Sequence, residues 1–588
     1  MSNPTAPTAM ADDRPGPGPG RVVRVNGPLV EIEGLDQVAV LDVVEVGHNS
    51  LAAEVVSVRQ GLLTAQVYEY TGGLRVGDPA LGQGHPLSAR FGPDLLGGIF
   101  DGLLRPLTGQ PLWLSAGALR QTGTRRRWPF APAVSPGTVV APGNLLGTVP
   151  TPSGVDHRVL IPPGTAGPVD WVAGDGEVDD DEPIASIGGS PVAISEQWPV
   201  RAPRPVRARL ELSAPLLTGQ RVVDLLFPIA KGATAAVPGG FGTGKTVLLQ
   251  QLVKWCEADV VVFVGCGERG NELADALADL SKLDDPRTGR SLLERTVVIA
   301  NTSNMPVMAR EASIHTGMTV AEFYRDMGYD TVLLADSTSR WAEALREFSS
   351  RSGELPAEEG YPAGLASALA AFYERAGRVT TLGGEEGSVT AIGAVSPPGG
   401  DMAEPVTAHT ERFVRCLWSL DRDLAYARHY PAVTWRRSFS RDAQSVGAWH
   451  ASEGRPAWAR DRARAVALLA EADRLAPMVE LVGLASLPGR ERVTLLAGRL
   501  LREAVLQQSA QSVNDGPCTP AKQEALLELV LALYDRFLAL VDQGHPASAV
   551  EEIDTSGVVR IRDEVGPDDA AGVERRRDEM LAALENWK

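Results

Sequence analysis

The chain has 588 residues, 44% hydrophobic and 22% charged, which is ordinary for a soluble protein of several domains. Its 56 basic and 74 acidic residues leave a formal net charge of −18, which argues against the basic surface that gives nucleic-acid binders their affinity. Four scattered cysteines with no C-x-x-C pair, and eight histidines without an H-E-x-x-H cluster, argue against a disulfide framework or a protein-built metal centre; no apolar run approaches the roughly 20 residues that span a bilayer.

Residues 1–20 are rich in Pro, Gly, Ala and Asp, lack the apolar stretch of a signal peptide, and read as a disordered tail. Residues 21–88 alternate apolar and polar positions between turn signals such as Asn26-Gly27-Pro28, as a small β-barrel does. Nothing in it looks catalytic, and packing or assembly is its expected role. Leu87 to Leu107 reads as a connector. Residues 111–197 form a second β-rich region, dense in Pro and Gly. Within it the acidic run from Asp175 to Glu182 is expected to be a solvated loop, and Arg125-Arg126-Arg127 a solvated face.

From about Trp198 the pattern changes to strand-helix alternation. Apolar runs at Val260–Val264, Thr296–Ala300, Thr331–Ala335 and Val389–Ile392 predict a largely parallel sheet covered by helices, with ligands at the carboxyl ends of its strands. Residues 89–110 and 198–440 are assigned to this domain. Residues 441–588 lose the strand pattern. Val493, Leu496 and Leu500, then Val530, Leu533, Phe537 and Leu538, recur at helical spacing and predict a helical bundle, interrupted at Asp515-Gly516-Pro517. The fold class is therefore multidomain α/β: an N-terminal β-barrel, a β-rich insertion, a RecA-like P-loop domain and a C-terminal helical domain.

The chemistry centres on Gly239-Gly240-Phe241-Gly242-Thr243-Gly244-Lys245-Thr246, which fits G-x-x-x-x-G-K-[ST]. Glycines let backbone N–H groups turn inward around a phosphate. Lys245 has the reach for the β- and γ-phosphates, and the Thr246 hydroxyl suits Mg²⁺. A buried strand, Ala233–Val237, precedes the loop, and a helix from Val247 to Trp255 follows it. Three more stretches fall where ATP chemistry needs them. Gly265-Cys266-Gly267-Glu268-Arg269-Gly270 follows the Val260–Val264 strand, and a carboxylate there can orient or deprotonate an attacking water. Glu268 is the candidate base, and Arg269 a candidate to stabilise charge or hold the loop. Ala335-Asp336-Ser337-Thr338-Ser339-Arg340 has a Walker-B arrangement in which Asp336 holds Mg²⁺ through its water shell; an N-cap role for Asp336 is compatible with this. Arg340 either approaches the phosphates or pairs with a neighbouring acid. His429-Tyr430-Pro431 offers an aromatic face for adenine, or an ordinary core aromatic.

Taken together these residues resemble the catalytic A subunits of V-type and A-type rotary ATPases over nearly the whole chain from Arg21. More specific than the P-loop are Phe241 within it, Ile299 to Pro306, Asp336 to Glu347, Pro356 to Pro362 and Ser396 to Asp401, together with the insertion between barrel and nucleotide domain. The resemblance implies ATP synthesis or hydrolysis coupled to H⁺ or Na⁺ transport, with Mg²⁺ as cofactor. Three A subunits would alternate with three homologous B subunits, which supply an arginine finger in trans. Central and peripheral stalk subunits would connect the ring to a membrane sector of other chains, at the cytoplasmic face of the cell membrane. Tyr430 would be the adenine-stacking aromatic. The resemblance is weaker over Ser512 to Pro520 and after Val565. Two alternatives share the P-loop: another hexameric motor, such as a secretion ATPase or nucleic-acid translocase, and a regulatory nucleotide-binding subunit. The insertion argues against the secretion motor, the charge against the translocase, and the intact Lys245, Thr246 and Glu268 against the regulatory subunit.

Overall fold

A computed structural model describes residues 20–107, 126–151, 153–285 and 287–585. The expected tail, apart from Gly20, lies outside the described residues, as do positions 111–125 of the insertion, Arg125 among them. The described chain divides into two compact units. One contains residues up to 211 and 258–393; the other contains 212–257 and the residues from 394 onward.

In the first unit, strands Gly20–Asn26, Leu29–Glu33, Leu62–Val67, Leu51–Arg59, Asp42–Val46 and Pro79–Pro86 close in that spatial order into an antiparallel barrel. Alternation turns Val30, Ile32, Val44, Val46, Val55 and Leu63 inward to a single core. Closure removes the exposed edges that a six-stranded open sheet would carry. The insertion forms two four-stranded sheets over one core that includes Phe130, Leu146, Val149, Ile161, Ile184 and Ile187.

Two expectations for this region need correction. Leu87 to Leu107 is more than a connector. Ser88–Phe91 pairs antiparallel with Glu196–Pro199, and Ile99–Phe100 adds a parallel edge beside Thr296–Thr302. Burial of Phe91 and Phe100 anchors both pieces. Nor is the acidic run a wholly solvated loop. Gly176–Asp179 is a strand paired with Arg127–Pro132. The next residue, Asp180, is buried because the Arg90 guanidinium gathers three carboxylates, Asp180 at 2.7 Å, Asp181 at 2.9 Å and Asp94 at 3.2 Å. Arg126 and Arg127 are exposed, as expected.

The main sheet of this unit orders its parallel strands Glu386–Val395, Asp330–Asp336, Val260–Glu268, Thr296–Thr302 and Ile99–Phe100. Three helices matter for the site: α2 (Gly270–Lys282), α3 (Val307–Asp326) and α4 (Thr338–Ser352), numbered after α1 (Lys245–Trp255) of the other unit. Sixteen of the twenty residues of α3 are buried. Gly317 sets its close approach to the sheet, since a Cβ there would meet Val264 Cγ2 at 2.4 Å.

In the second unit, Thr234–Pro238 runs parallel to Cys416–Leu417, which pairs antiparallel with Phe439–Ser440. No strand follows Ser440 among the described residues. The long helices Ala457–Val482, Gly489–Leu500 and Pro520–Asp542 bury Val493, Leu500, Val530, Leu533 and Phe537 at the expected spacing. Gly498 lets two of them touch; its Cβ would meet Ala472 Cβ at 2.6 Å. The break at Asp515 is pinned by a fully buried ion pair, Arg221 to Asp515 at 2.6 Å.

His157 lies in the insertion core, 2% exposed, with Nε2 3.3 Å from the Ile194 carbonyl. Burial pushes its pKa from 6.5 down to about 4. The folded state thus favours the neutral ring, so its contribution is intact above pH 6.5 and is lost as pH falls toward 4. At about 1.4 kcal/mol per pH unit the loss is at most about 3 kcal/mol. Hydrogen-exchange protection of His157–Leu160 and Ser190–Ala193 should therefore drop between pH 6.5 and 4. His157→Phe should remove that acid-dependent part, and an undiminished drop in the variant would assign it to other groups.

Candidate functional site

In the second unit the P-loop leaves the end of Thr234–Pro238 and enters α1. Gly242 and Gly244 stand at φ 78° and 83°, the left-handed region where a side chain is disfavoured. Gly239 is required by space as well. A Cβ there would meet Thr243 Oγ1 at 2.7 Å and Leu420 Cβ at 2.9 Å. The loop is closed from within by the Thr243 hydroxyl, which donates to the Gly240 carbonyl at 2.8 Å, and from outside by the Gly239 N–H, which donates to the Val395 carbonyl at 3.1 Å.

Gly244 caps α1, and the first turn holds no acidic residue. The partial positive charge of the helix start is thus not compensated by its own sequence, which favours an anion there. Lys245, the first residue of α1, donates to the Ser396 hydroxyl. The Arg422 Nη2 lies 3.7 Å from the position a Gly240 Cβ would take. Thr246 is exposed, and Phe241 is 94% exposed at the loop crest. Tyr430 joins this group. Its Cε1 lies 3.2 Å from the position of a Gly244 Cβ, and its side of the loop remains open, with the residue 41% exposed. The core-aromatic alternative for Tyr430 does not fit that exposure.

In the first unit, Glu268 ends the Val260–Glu268 strand and Asp336 ends the neighbouring Asp330–Asp336 strand. Gly265 pairs with Asp336, so both carboxylates sit at the carboxyl ends of adjacent parallel strands. Glu268 is half-buried and Asp336 6% exposed. The cap of α4 is Ser337, whose side chain accepts from the Arg340 N–H; the N-cap role weighed for Asp336 belongs to its neighbour. Arg340 pairs with Glu343 at 3.0 Å, and the field of Glu268 adds to that pair in keeping its guanidinium charged. Arg269 is largely exposed, with Glu272 as a distant partner at 3.8 Å.

Gly267 makes this corner possible. At φ 70° it is left-handed, and a Cβ would meet Arg340 Cβ at 2.9 Å and Arg310 Cδ at 3.0 Å. Arg310, in the first turn of α3, thereby brings a cation beside the residue that precedes Glu268. Arg310 and Arg422 were missed in the sequence. The signal for Arg310 was a cation one turn after Asn304-Met305-Pro306; Arg422 had none. Cys266 offers no nucleophile, because burial pushes its thiol up to about 12 and the sulfur donates to the Arg310 carbonyl at 3.4 Å.

Comparison with known proteins gives a consistent picture. Family models match in four consecutive stretches: the ATP synthase alpha/beta family β-barrel domain over 22–84, the alpha/beta subunit barrel-sandwich domain over 119–201, the alpha/beta family nucleotide-binding domain over 219–440, and the C-terminal domain of V and A type ATP synthase over 447–550. The V-type ATP synthase alpha chain of Anaeromyxobacter sp. is 50% identical over 536 residues, 90% of this chain and 93% of that one. The V-type ATP synthase alpha chain of Nitrosococcus oceani is 49% identical over 540 residues, 90% and 91% respectively. Its A-type counterpart from Methanopyrus kandleri, the A chain of that ATP synthase, is 48% identical over 549 residues, 91% and 92% respectively. Among solved structures, the ATPase EscN of the enteropathogenic E. coli type III secretion system is similar with a TM-score of 0.64 at 22% identity, over 87% of this chain and all of that one. At that identity the likeness is one of fold.

Gly267→Ala should be tolerated by the folded chain yet move the Glu268 corner. Turnover should fall at least tenfold while nucleotide affinity changes less than threefold. A variant that hydrolyses ATP normally would mean that the left-handed corner does not position Glu268.

Proposed function

The chain belongs to the ATP synthase alpha/beta family, in its V and A type branch, and from that we propose that it is the catalytic subunit of a rotary ATP synthase/ATPase. It makes or hydrolyses ATP in step with ion transport through other chains. The observation that carries the reading is the P-loop itself, with Gly242 and Gly244 left-handed and Lys245 opening α1, in a chain about half identical to ATP synthase A and alpha chains over nine tenths of its length.

In the hydrolytic direction the P-loop N–H groups and Lys245 hold the β- and γ-phosphates. Glu268 aligns water behind the γ-phosphorus and takes its proton as the new P–O bond forms. The bond to the β-phosphate oxygen breaks, and ADP leaves with the electron pair. Synthesis is the reverse. Arg340 and Arg269 stabilise charge or hold the acid loop, and Tyr430 stacks on adenine. The hydroxyl of Thr246 and the carboxylate of Asp336 are hard oxygen donors of the kind and number that suit Mg²⁺, which keeps several waters and takes one or two protein ligands besides phosphates. When bound, Mg²⁺ neutralises phosphate charge.

The same reading places the chain in a ring alternating with a homologous B subunit that lends an arginine finger, joined to central and peripheral stalks. It is a peripheral part of a membrane complex, at the cytoplasmic face. No described helix is long and apolar enough to cross a membrane, which fits an ion path built by other subunits. No nucleic acid enters the reading. The secretion motor shares the fold, but the match to a barrel-sandwich domain over 119–201 favours the synthase.

Three substitutions in the reconstituted complex separate these roles. Glu268→Gln should bind Mg-ATP normally but lose at least about a hundredfold in turnover, the low end of what a positioned base contributes. Lost binding with an unchanged rate per bound nucleotide would make Glu268 a binding residue. Lys245→Ala should lose both binding and turnover without loss of assembly. For Tyr430, Phe should be silent, and Ser should raise the KM for ATP by removing a contact worth about 1–3 kcal/mol; equal KM values in all three proteins would remove Tyr430 from the site.

A further inference from the structure

A cavity of about 360 Å³ lies within the first unit, away from the Glu268 corner. Its walls come from the insertion (residues 157–163 and 191–198), from Gly143 and Leu382, and from the carboxyl end of α3 at Phe323, Asp326 and Met327. Its volume is that of a small-molecule site. The wall is mostly apolar, with Val159, Ile161, Val192, Ile194, Phe323 and Met327 among its members. Pro191 and Gln197 are exposed, so the cavity reaches solvent on their side.

The polar groups in this wall are few and unusually placed. The Arg204 guanidinium, 4% exposed, is sandwiched between two rings, 4.8 Å from Trp198 and 5.4 Å from Phe323. It pairs with Glu196 and Asp326, each at 2.6 Å, yet its Nη1 has no hydrogen-bond partner. His157 engages the Ile194 carbonyl through Nε2 and leaves Nδ1 without a partner. Leaving such buried groups unmatched is costly, at about 1–3 kcal/mol each. A ligand that supplied an acceptor to Arg204 and a donor to His157 would recover that cost. Arg204 and Arg158 are balanced by Glu196 and Asp326, so the wall is neutral overall and does not select an anion. Its rings and its apolar lining favour a flat, uncharged body.

The helix that closes this cavity at its carboxyl end is the one that carries Arg310 at its start, where Arg310 packs by Gly267 and its carbonyl receives the Cys266 thiol. We propose that the cavity between the insertion and the end of α3 is a regulatory site for a small, flat, uncharged molecule bearing a carbonyl-type acceptor, and that its occupancy is felt through α3 at the Glu268 corner. The effect on turnover rests on the role given to Glu268; the binding itself does not.

The test uses the full chain for binding and the reconstituted complex for rate, with benzamide and 7-methoxycoumarin as probes and benzoate as the anionic counterpart. At least one neutral probe should bind saturably at one site, with a dissociation constant in the millimolar range or tighter, and benzamide should bind at least tenfold more tightly than benzoate. Ala193→Trp and Leu382→Trp fill the cavity from two different segments, and each should weaken the bound probe at least tenfold while nucleotide binding stays unchanged. The saturating probe should change the ATP turnover of the parent complex at least twofold, and that of neither variant. The proposal is overturned if neither neutral probe binds, if benzoate binds as well as benzamide, if binding survives both Trp substitutions, or if the bound probe leaves turnover unaltered. Normal binding with unaltered turnover would remove the regulatory role alone, whereas a failure of the Glu268→Gln experiment with intact probe binding would leave the cavity a ligand site and overturn only the reading of Glu268.

Discussion

A helix buried on almost all sides has no water to solvate its charges, and α3 carries several. Its Glu311, Glu322 and Arg325 are all buried. Each is met by a charge from another segment or a neighbouring turn. Arg201 reaches Glu311 at 2.6 Å and Glu54 of the barrel at 3.4 Å. Arg375 reaches Glu322 at 2.6 Å, and Arg204 holds Asp326 at 2.6 Å. Burial alone would raise the Glu311 carboxyl, but Arg201 and His315 hold it well below the usual carboxylate range. Glu54 shares the same cation at longer range, and there burial prevails and its pKa is raised. Such networks add little net stability compared with apolar packing, yet losing one partner costs about 3–5 kcal/mol. Their effect is to fix where α3 lies against barrel, insertion and sheet, and so where Arg310 lies against Gly267.

The phosphate cradle is built on a different principle. Its geometry comes from backbone conformations rather than charge pairs. Gly242 and Gly244 adopt angles closed to other residues, and Gly239 leaves room for Thr243 and Leu420. The Thr243 hydroxyl then fixes the loop with one internal hydrogen bond. Preformed N–H groups and an uncompensated helix start need no reorganisation to receive an anion, which is the condition for strong electrostatic stabilisation.

The fold class was legible because its strands are long, continuous apolar runs and its bundle repeats at helical spacing. The runs at Val260–Val264 and Thr331–Ala335 reappear as Val260–Glu268 and Asp330–Asp336. The extension through Gly265-Cys266-Gly267 was not legible, since glycines read locally as a loop. Parallel pairing on both sides carries the strand through them. Ser88–Phe91 and Ile99–Phe100 were missed because strands of four and two residues have no period, and their partners lie about 100 and 200 residues away. Asp180 was misjudged for the same reason: the residue that buries it, Arg90, is 90 positions distant. At the candidate site the P-loop, Glu268 and Asp336 could be named from local patterns. Arg310 and Arg422 could not, because each acquires its neighbour through a glycine in another segment.

These two construction principles respond differently to change. A cradle made of glycine angles has few alternatives: any side chain at Gly242 or Gly244 meets a strained backbone whatever surrounds it. A helix held by buried ion pairs behaves as one body, since sliding it by a turn would strand Glu311, Glu322 and Asp326 from Arg201, Arg375 and Arg204 together. Displacement at either end must then be carried along its length or leave buried charge unpaired. The residue that receives such a displacement is Gly267, where 2.9 Å and 3.0 Å already separate a notional Cβ from Arg340 and Arg310. With no slack at that corner, small movements of α3 translate into the orientation of Glu268, while the Asp336 strand, paired residue by residue from Val260↔Thr331 to Gly265↔Asp336, stays fixed.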